Sequence, residues 1–528
     1  MTTRLPRRRF LGLLVGLALA LPACHAGRAR VALALDDDAR IHVIVLHTND
    51  LHGQVLPRPA TWTKADPPPL AGGLPRIAAA VNRVWREAES NGAALLVVDG
   101  GDWTQGTPEG ALDDGLGFAS ALAAIGYDAL CVGNHELDRG LASLQQRLSE
   151  THLPAVCANL EERDSGRPVE WVPPYRIVER GGLRIALVGL LTPATPSITH
   201  RDARTLRFVA SAKALARVRA ELAGAVDWVL PLTHLGVDDD RALARAHADL
   251  PLIVGGHSHT VLHEGVREGG TLIVQAGAKA SALGRVDLWF DASTKRCVEA
   301  RASLIELLEE PAAVDANAAV QSICDRLIER SDLAMREVVA ELAIPLTRGK
   351  DPFVSSTAGN WITDALREHA RADVAIMNRG GIRSDVAAGP LTRRALFELS
   401  PFENAVSTFE LTGADLERVV ARFVKSRTHS GMEISGVVVR LRVPRHGATG
   451  ARVLDSIEVG GKPLDRDATY RLVTNSFLAD GGDTYFEAGE VGNRVDDPLM
   501  IREALELVAK KQGRIEPDAT NRYVTKKR

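Results

Sequence analysis

Five short polar clusters carry residue types that bind metal ions: "HTNDLHG" (47–53), "GGDWTQG" (100–106), "GNHELD" (133–138), "THLG" (233–236) and "GGHSHT" (255–260). They supply Asp50, His52, Asp102, Asn134, His234, His257 and His259, all oxygen or imidazole donors, with no cysteine among them. That set suits hard-to-borderline divalent ions such as Mn²⁺, Zn²⁺, Co²⁺ or Fe²⁺. Seven donors exceed the need of one tetrahedral ion. With one bridging carboxylate they make two four-ligand sites, and two ions roughly 3.5–4 Å apart are the usual arrangement for in-line phosphoryl displacement. His135 and Asp138 lie three residues apart in the third cluster. On a helical turn that spacing puts both on one face, where Asp138 would orient His135 and keep it cationic. A lone histidine at such a position is more often structural; the weight rests on seven donors recurring in one structural context.

That context is the end of an apolar run. The clusters follow "IHVIVL" (41–46), "ALLVVD" (94–99), "ALCV" (129–132), "VDWVLPL" (226–232) and "PLIV" (251–254). Further runs at 184–190, 271–276 and 284–290 alternate with Ala- and Leu-rich stretches at helical spacing, which predicts an α/β domain over 40–310. In α/β sheets ligands gather at the carboxyl ends of the strands, so five distant segments can converge there. Residues 311–340 have helical spacing without a strand signal and are expected to form a helical linker or hinge. A second, α+β domain is expected over 341–525. In it "IMNRGGIRSD" (376–385) offers Asn378, Arg379 and Arg383 around two glycines, a pattern that can present backbone N–H groups and a guanidinium to phosphate.

The 528 residues exceed one ordinary core, and a formal net charge of −3 gives no general electrostatic reason to bind a nucleic-acid polymer or an anionic membrane. Residues 1–26 read as an export signal: Arg7, Arg8 and Arg9 precede an apolar run from Phe10 to Leu21, too short to span a membrane. "RRRFLG" resembles a twin-arginine signal, the alternative being a plain secretory one. "LPAC" resembles a lipobox that would lipidate Cys24, with ordinary cleavage nearby as the alternative. Either way the expected location is the bacterial periplasm or cell envelope. Cys131, Cys157, Cys297 and Cys324 form no metal-type cluster.

The order D-x-H, GD, GNHE and two later histidine segments resembles the calcineurin-like metallophosphoesterases. "HTNDLHG" with "GNHELD" is more specific and resembles the 5′-nucleotidase family, which includes periplasmic UDP-sugar hydrolases. The resemblance covers nearly the whole mature chain. It implies an αββα metallophosphoesterase sandwich joined by a helical linker to an α+β substrate-binding domain. It implies that Asp50, His52 and His259 hold one divalent ion, that Asn134, His234 and His257 hold the other, and that Asp102 bridges. It places His135 beside the leaving-group oxygen, with Asp138 behind it. In the second domain Arg383 is the best match to a substrate-binding position, with Asn378 beside it. Arg348, in "LTRGKDPF", corresponds to another phosphate-binding arginine. Pro352 stands where the family often has one more, a departure that bears on terminal-phosphate affinity. "LSPFENAV" (399–406) and "TNSFLADGGDTYFE" (474–487) resemble the two segments that sandwich the base, with Phe402 and Tyr485 as the expected stacking pair and Phe477 and Phe486 as core.

The function implied is dinuclear-metal-dependent hydrolysis of nucleotide phosphoester bonds outside the cytoplasm, with nucleoside di- and triphosphates or UDP-sugars as further substrates. Two alternatives keep the fold: a 2′,3′-cyclic-nucleotide phosphodiesterase or a thiosulfohydrolase-like enzyme, and a non-catalytic periplasmic nucleotide-binding protein. Thiosulfohydrolases look different where "GNHE" stands here, and a pure binding protein would be expected to have lost ligands.

Overall fold

The computed structural model describes residues 40–308, 315–426, 431–444, 452–487 and 490–526. The export segment 1–26, including Cys24, lies outside them. The first domain's two six-stranded sheets are built from β1 (Arg40–Thr48), β2 (Ala94–Asp99), β3 (Ala129–Cys131), β4 (Ala155–Val156), β5 (Tyr175–Arg180), β6 (Leu183–Leu191), β7 (Trp228–His234), β8 (Leu252–Val254), β9 (Val266–Glu268), β10 (Thr271–Val274), β11 (Ala282–Asp291) and β12 (Cys297–Glu306). The first sheet runs β12-β11-β1-β2-β3-β4 and the second β9-β10-β8-β7-β6-β5.

β1 shows why the runs are apolar throughout. Side chains alternate between faces, and both faces are covered. Val43 and Val45 enter the core between the sheets, whereas Ile44 and Leu46 enter the core beneath the outer helices. Helices Leu74–Asn91, Leu116–Ile125 and Ala318–Met335 cover the first sheet, and Ser211–Glu221 with Val237–Ala246 cover the second. The layering is αββα. β1, β2, β3 and β4 pair in parallel, as do β6, β7, β8 and β10, so the ends that carry the polar clusters point the same way within each sheet.

The second domain is an α/β layer structure of its own. Its five-stranded sheet comprises β13 (Val374–Asn378), β14 (Ala405–Thr412), β15 (Met432–Ser435), β16 (Thr469–Asn475) and β17 (Gly492–Met500), in the order β15-β13-β16-β14-β17. Helices Thr357–Ala370 and Ile501–Gln512 cover one face. Helix Gly413–Lys425, started by a Thr412–Asp415 capping box, covers the other.

Helix Ala318–Met335 is capped by the Asn317 side chain, which accepts from the Val320 N–H. It buries Val320, Cys324 and Leu327 in the first domain's core, where Leu327 lies against Gly117. Its last turn meets the second domain: Arg393 donates to the Ala334 carbonyl at 3.0 Å, and Ser331 donates to Glu109, which Arg394 grips bidentately at 2.5 and 2.8 Å. Cys131, Cys157, Cys297 and Cys324 are free thiols. Among the described residues no helix is long and apolar enough to cross a membrane.

Because Leu327 is core to the first domain, Leu327→Ala should cost about 2–5 kcal/mol of that domain's unfolding free energy. Urea unfolding followed by tryptophan fluorescence reads this directly, since six of the seven tryptophans precede residue 311. A near-neutral variant would mean that the helix is a detached connector.

Candidate active site

The five clusters leave the ends of β1, β2, β3, β7 and β8 and meet in one buried centre. The loops after β1 and β2 bind each other through backbone: Asp50 N–H donates to Gly101 C=O (2.8 Å) and His52 N–H to Asp102 C=O (3.0 Å). Glu136 ties in the third loop, its carboxylate accepting from the N–H groups of Asp102 (2.9 Å), Trp103 (2.7 Å) and Gly133 (2.8 Å). A β-carbon at Gly133 would collide with the Asp102 carboxylate, so the turn needs glycine. Asp50, His52, Asp102, His257 and His259 all have positive φ, between 49° and 77°. L-residues pay for that conformation, and it persists where the surroundings impose it, commonly at functional sites.

Two triads result, Asp50–His52–His259 and Asp102–His234–His257. In the first, His52 Nδ1 lies 2.9 Å from the Gln105 carbonyl, which makes Nδ1 the protonated nitrogen and turns the Nε2 lone pair inward. There Nε2 is 3.0 Å from His259 Nε2, and His259 Nε2 is 3.2 Å from Asp50 Oδ1. In the second, His234 Nδ1 lies 2.8 Å from the Gly100 carbonyl, and its Nε2 faces Asn134 Oδ1 at 3.2 Å and Asp102 Oδ2 at 3.1 Å. Around His234, acceptor therefore faces acceptor away from water, and around His259, whose ring is 34% exposed, His52 Nε2 and Asp50 Oδ1 converge on one imidazole nitrogen. A cation resolves that conflict, and donor type, number and burial fit a divalent ion at each.

The protonation states respond to the same crowding. Burial disfavours the Asp102 carboxylate, yet His234, His135 and His52 outweigh it and hold it well below the usual range. Asp102 thus feels imidazoles of both triads, His234 of its own and His52 of the other. Burial also opposes charge on His234, but Asp102 and Asp50 raise it to about 10. His52, by contrast, is held well below its ordinary value by burial, His259 and Arg383.

His135 and Asp138 sit on a 3₁₀ turn, His135–Leu137, where i and i+3 eclipse. His135 Nδ1 is 2.6 Å from Asp138 Oδ2, and Thr199 donates to the other Asp138 oxygen at 2.8 Å. Burial lowers the His135 pKa, but Asp138 and Asp102 outweigh it and leave it raised. Its Nε2 points into a cavity of about 590 Å³ between the domains, lined by Asn134, His257, Asn378, Arg383, Phe402 and Phe477 among others. A larger groove of about 1250 Å³ opens elsewhere, by Trp228 at the start of β7, and contains none of these groups.

The second domain's residues divide. Arg383 reaches the metal-ligand cluster, 3.4 Å from His52 Nε2 and 3.5 Å from His135 Nε2, and lies over the Phe402 ring at 5.7 Å. Phe402 stacks on His135 at 5.4 Å. Asn378 lines the cavity and donates to Asp483 at 2.7 Å; burial pushes that carboxyl up to about 6. Arg348 is outside the cavity lining, with its backbone N–H on Asp385 at 2.8 Å.

Two expectations need correction. Arg379 is 2% exposed and fully engaged within its own domain, by Glu433 (2.7 Å) and the carbonyls of Asp351 and Val354 (both 2.8 Å), so it cannot reach a ligand. Tyr485 is 1% exposed in the second domain's core, its hydroxyl donating to the Gly431 carbonyl at 2.9 Å. Phe477, expected in the core, lines the cavity with Phe402, and Asp483 joins it there. The signal for Phe477 was available: it follows β16 by two residues, the same strand-end position that located the metal-binding donors.

Residues 44–261 match the model of the calcineurin-like phosphoesterase family, and residues 338–488 match the 5′-nucleotidase C-terminal domain. The chain is 26% identical to protein UshA of Yersinia enterocolitica, across 94% of this chain and 96% of UshA. It superposes on a 5′-nucleotidase precursor from Thermus thermophilus with a TM-score of 0.82 and 28% identity, covering 92% of this chain and 99% of that one. It also shares its fold with the Thermus thermophilus sulfate thiohydrolase SoxB, with a TM-score of 0.76 and 20% identity over 92% of this chain and 97% of SoxB.

Loaded with Mn²⁺ and dialysed, the protein should retain two ions per chain by elemental analysis. Asp102→Asn, which keeps the shape but removes the shared charge, should retain at most one. Two ions held at undiminished affinity in that variant would contradict a bridging carboxylate.

Proposed function

The chain belongs to the family that joins a calcineurin-like phosphoesterase domain to a 5′-nucleotidase C-terminal domain, and from that premise we infer a metal-dependent hydrolase of nucleotide phosphoester bonds, exported from the cytoplasm. One observation carries the reading: the ligand cluster, the His135–Asp138 pair, Arg383 and two aromatic rings face a single cleft. Asp50, His52 and His259 would hold one ion, Asn134, His234 and His257 the other, and Asp102 both. Such ions supply Lewis acidity and make water nucleophilic near neutral pH.

The chain's own residues do the rest. Asn134 is a neutral ligand, so it leaves the positive field that a phosphate dianion needs. Arg383 supplies a guanidinium to the phosphoryl oxygens. His135, kept protonated by Asp138, stabilises charge on the departing oxygen or gives it a proton. Phe402 and Phe477 would grip the base, and the Asn378–Asp483 pair offers polar contacts to the sugar. Stacking accepts any base, so it sets affinity more than base choice.

Among the described residues, side-chain contacts across the cleft include Gln105 to the Pro401 carbonyl at 3.0 Å, Arg139 to Glu403 at 2.6 Å and the bidentate Arg394–Glu109 pair. Helix Ala318–Met335 is packed into the first domain's core, so hinged closure carrying substrate onto the metals would turn on the part of 311–340 that follows Met335. The likeness to SoxB is one of fold, and the Asn134–His135 pair favours the phosphoryl reading over a thiohydrolase.

Phosphate release from AMP, ATP, UDP-glucose and a 2′,3′-cyclic nucleotide, with and without chelator and with Mn²⁺ restored, tests the reaction. AMP should be cleaved, and chelator should abolish turnover. His135→Ala should lower kcat by about 10²–10⁴ while retaining both metals. AMP turnover at the wild-type rate in that variant would contradict the role of His135. Phe477→Ala should weaken AMP by about 1–3 kcal/mol, read in KM. Tyr485→Leu, which removes the ring, should leave KM unchanged in the folded variant; the reverse ranking would restore Tyr485 to the base site.

A further inference from the structure

Five strand ends supply the candidate ligands. A sixth strand, β10, lies parallel to β8, ends at Val274 and runs straight into Gln275, Ala276 and Gly277, none of them a member of either triad. Each of the three is nevertheless hydrogen-bonded to a segment that carries ligands.

Gln275 is fully buried. Its Oε1 accepts from the Thr260 N–H at 3.2 Å and from the Ser258 hydroxyl at 3.0 Å. Its Nε2 donates to the Gly256 carbonyl at 3.0 Å and to Asp240 Oδ2 at 3.5 Å. All four hydrogen-bonding positions of the amide are thereby used. Between Gly256 and Thr260 lie His257 and His259, with φ of 77° and 54°. That backbone is unfavourable for L-residues and persists only where neighbours impose it. One side chain imposes it here, bonding the turn before His257, between the two histidines and after His259. The two histidines belong to different triads, so any shift of this turn moves one ligand of each site together.

The same segment reaches further. Asp240 accepts from the Thr233 hydroxyl at 2.6 Å, next to His234. Ala276 N–H donates to Asn49 Oδ1 at 2.8 Å, and Asn49 Nδ2 donates to the Gly277 carbonyl and to Asp50 Oδ2, both at 2.7 Å. If Gln275 only filled space, an apolar side chain of equal length would serve. Three of its four polar contacts go instead to one short turn whose two imidazoles must point in set directions, the arrangement by which outer residues orient metal ligands.

We propose that Gln275 is a positioning residue that sets the two metal sites jointly, by locking the 256–260 turn that carries one imidazole of each. The proposal rests on the dinuclear reading of the site and concerns metal affinity rather than the substrate.

Metal-free wild type, Gln275→Met, Gln275→Asn and the control Thr271→Val are titrated with Mn²⁺ and followed by electron paramagnetic resonance, which counts free ions and reports whether two bound ions are magnetically coupled. No turnover is involved. Thr271 starts β10, and its buried hydroxyl has no hydrogen-bond partner among the described residues, so the control perturbs the strand without touching the turn. Wild type and Thr271→Val should bind two ions as a coupled pair. Gln275→Met should weaken both ions by about 10–100-fold and lose the coupled spectrum. Gln275→Asn keeps an amide but is one methylene too short to span the turn; it should move in the same direction, and it decides the question if Gln275→Met fails to fold. A purely structural role would lower the unfolding temperature of the metal-free protein while leaving both affinities and the spectrum unchanged wherever the variants are folded. That result overturns the proposal, as does a loss confined to one ion. A wild type that binds fewer than two ions overturns the dinuclear reading, and the proposal with it.

Discussion

At His234, Asp102 and Asn134 acceptor atoms face one another out of reach of water, and that is the constraint on which the rest depends. The His234 Nε2 lone pair, at 3.1 Å from a carboxylate oxygen and 3.2 Å from an amide oxygen, cannot be satisfied by those partners while the ring is neutral, and His52 Nε2 crowds His259 Nε2 at 3.0 Å. Without cations a proton fills the gap at His234, which Asp102 and Asp50 drive up to about 10 against burial, whereas burial, His259 and Arg383 drive His52 down. Metal binding and the final packing of these loops are in that sense one equilibrium. The strained backbone at five ligand positions, the obligatory glycine at 133 and the three N–H groups gathered by Glu136 all serve to hold the conflict in place.

The two domains divide the work. Parallel strands bring donors from five segments to one end of the first domain, where positions are fixed by backbone ladders. The second domain contributes groups that must meet the variable part of a ligand: Arg383 over Phe402, Phe402 against His135, and Phe477 across the cavity. Phe402 therefore touches the guanidinium and the imidazole that would act on the phosphoryl group, so a base held on that ring is registered against the reacting atoms.

What was legible followed from the strand-end rule. Every candidate metal ligand stands within a few residues of a strand's carboxyl end, and composition alone assigned its chemistry. His135 and Asp138 were legible because i,i+3 spacing holds for α and 3₁₀ turns alike. The errors have physical causes. Arg379 adjoins Arg383 in the same Gly-Gly turn, and only the fold shows that Glu433 and two carbonyls claim it. Tyr485 lies beyond a second turn, at Gly481 and Gly482, which folds the chain back into the core and leaves Phe477 facing the cavity. The Ala318–Met335 helix was legible as a helix, but its burial against the first domain depends on long-range packing that local periodicity does not encode.

Anomalous diffraction from crystals soaked in Mn²⁺ addresses the central claim most directly. Two peaks are predicted, one within ligand distance of Asp50, His52 and His259, the other within ligand distance of Asn134, His234 and His257, with Asp102 oxygens between them. A single peak, or density placed away from these donors, would contradict a dinuclear centre at the strand ends.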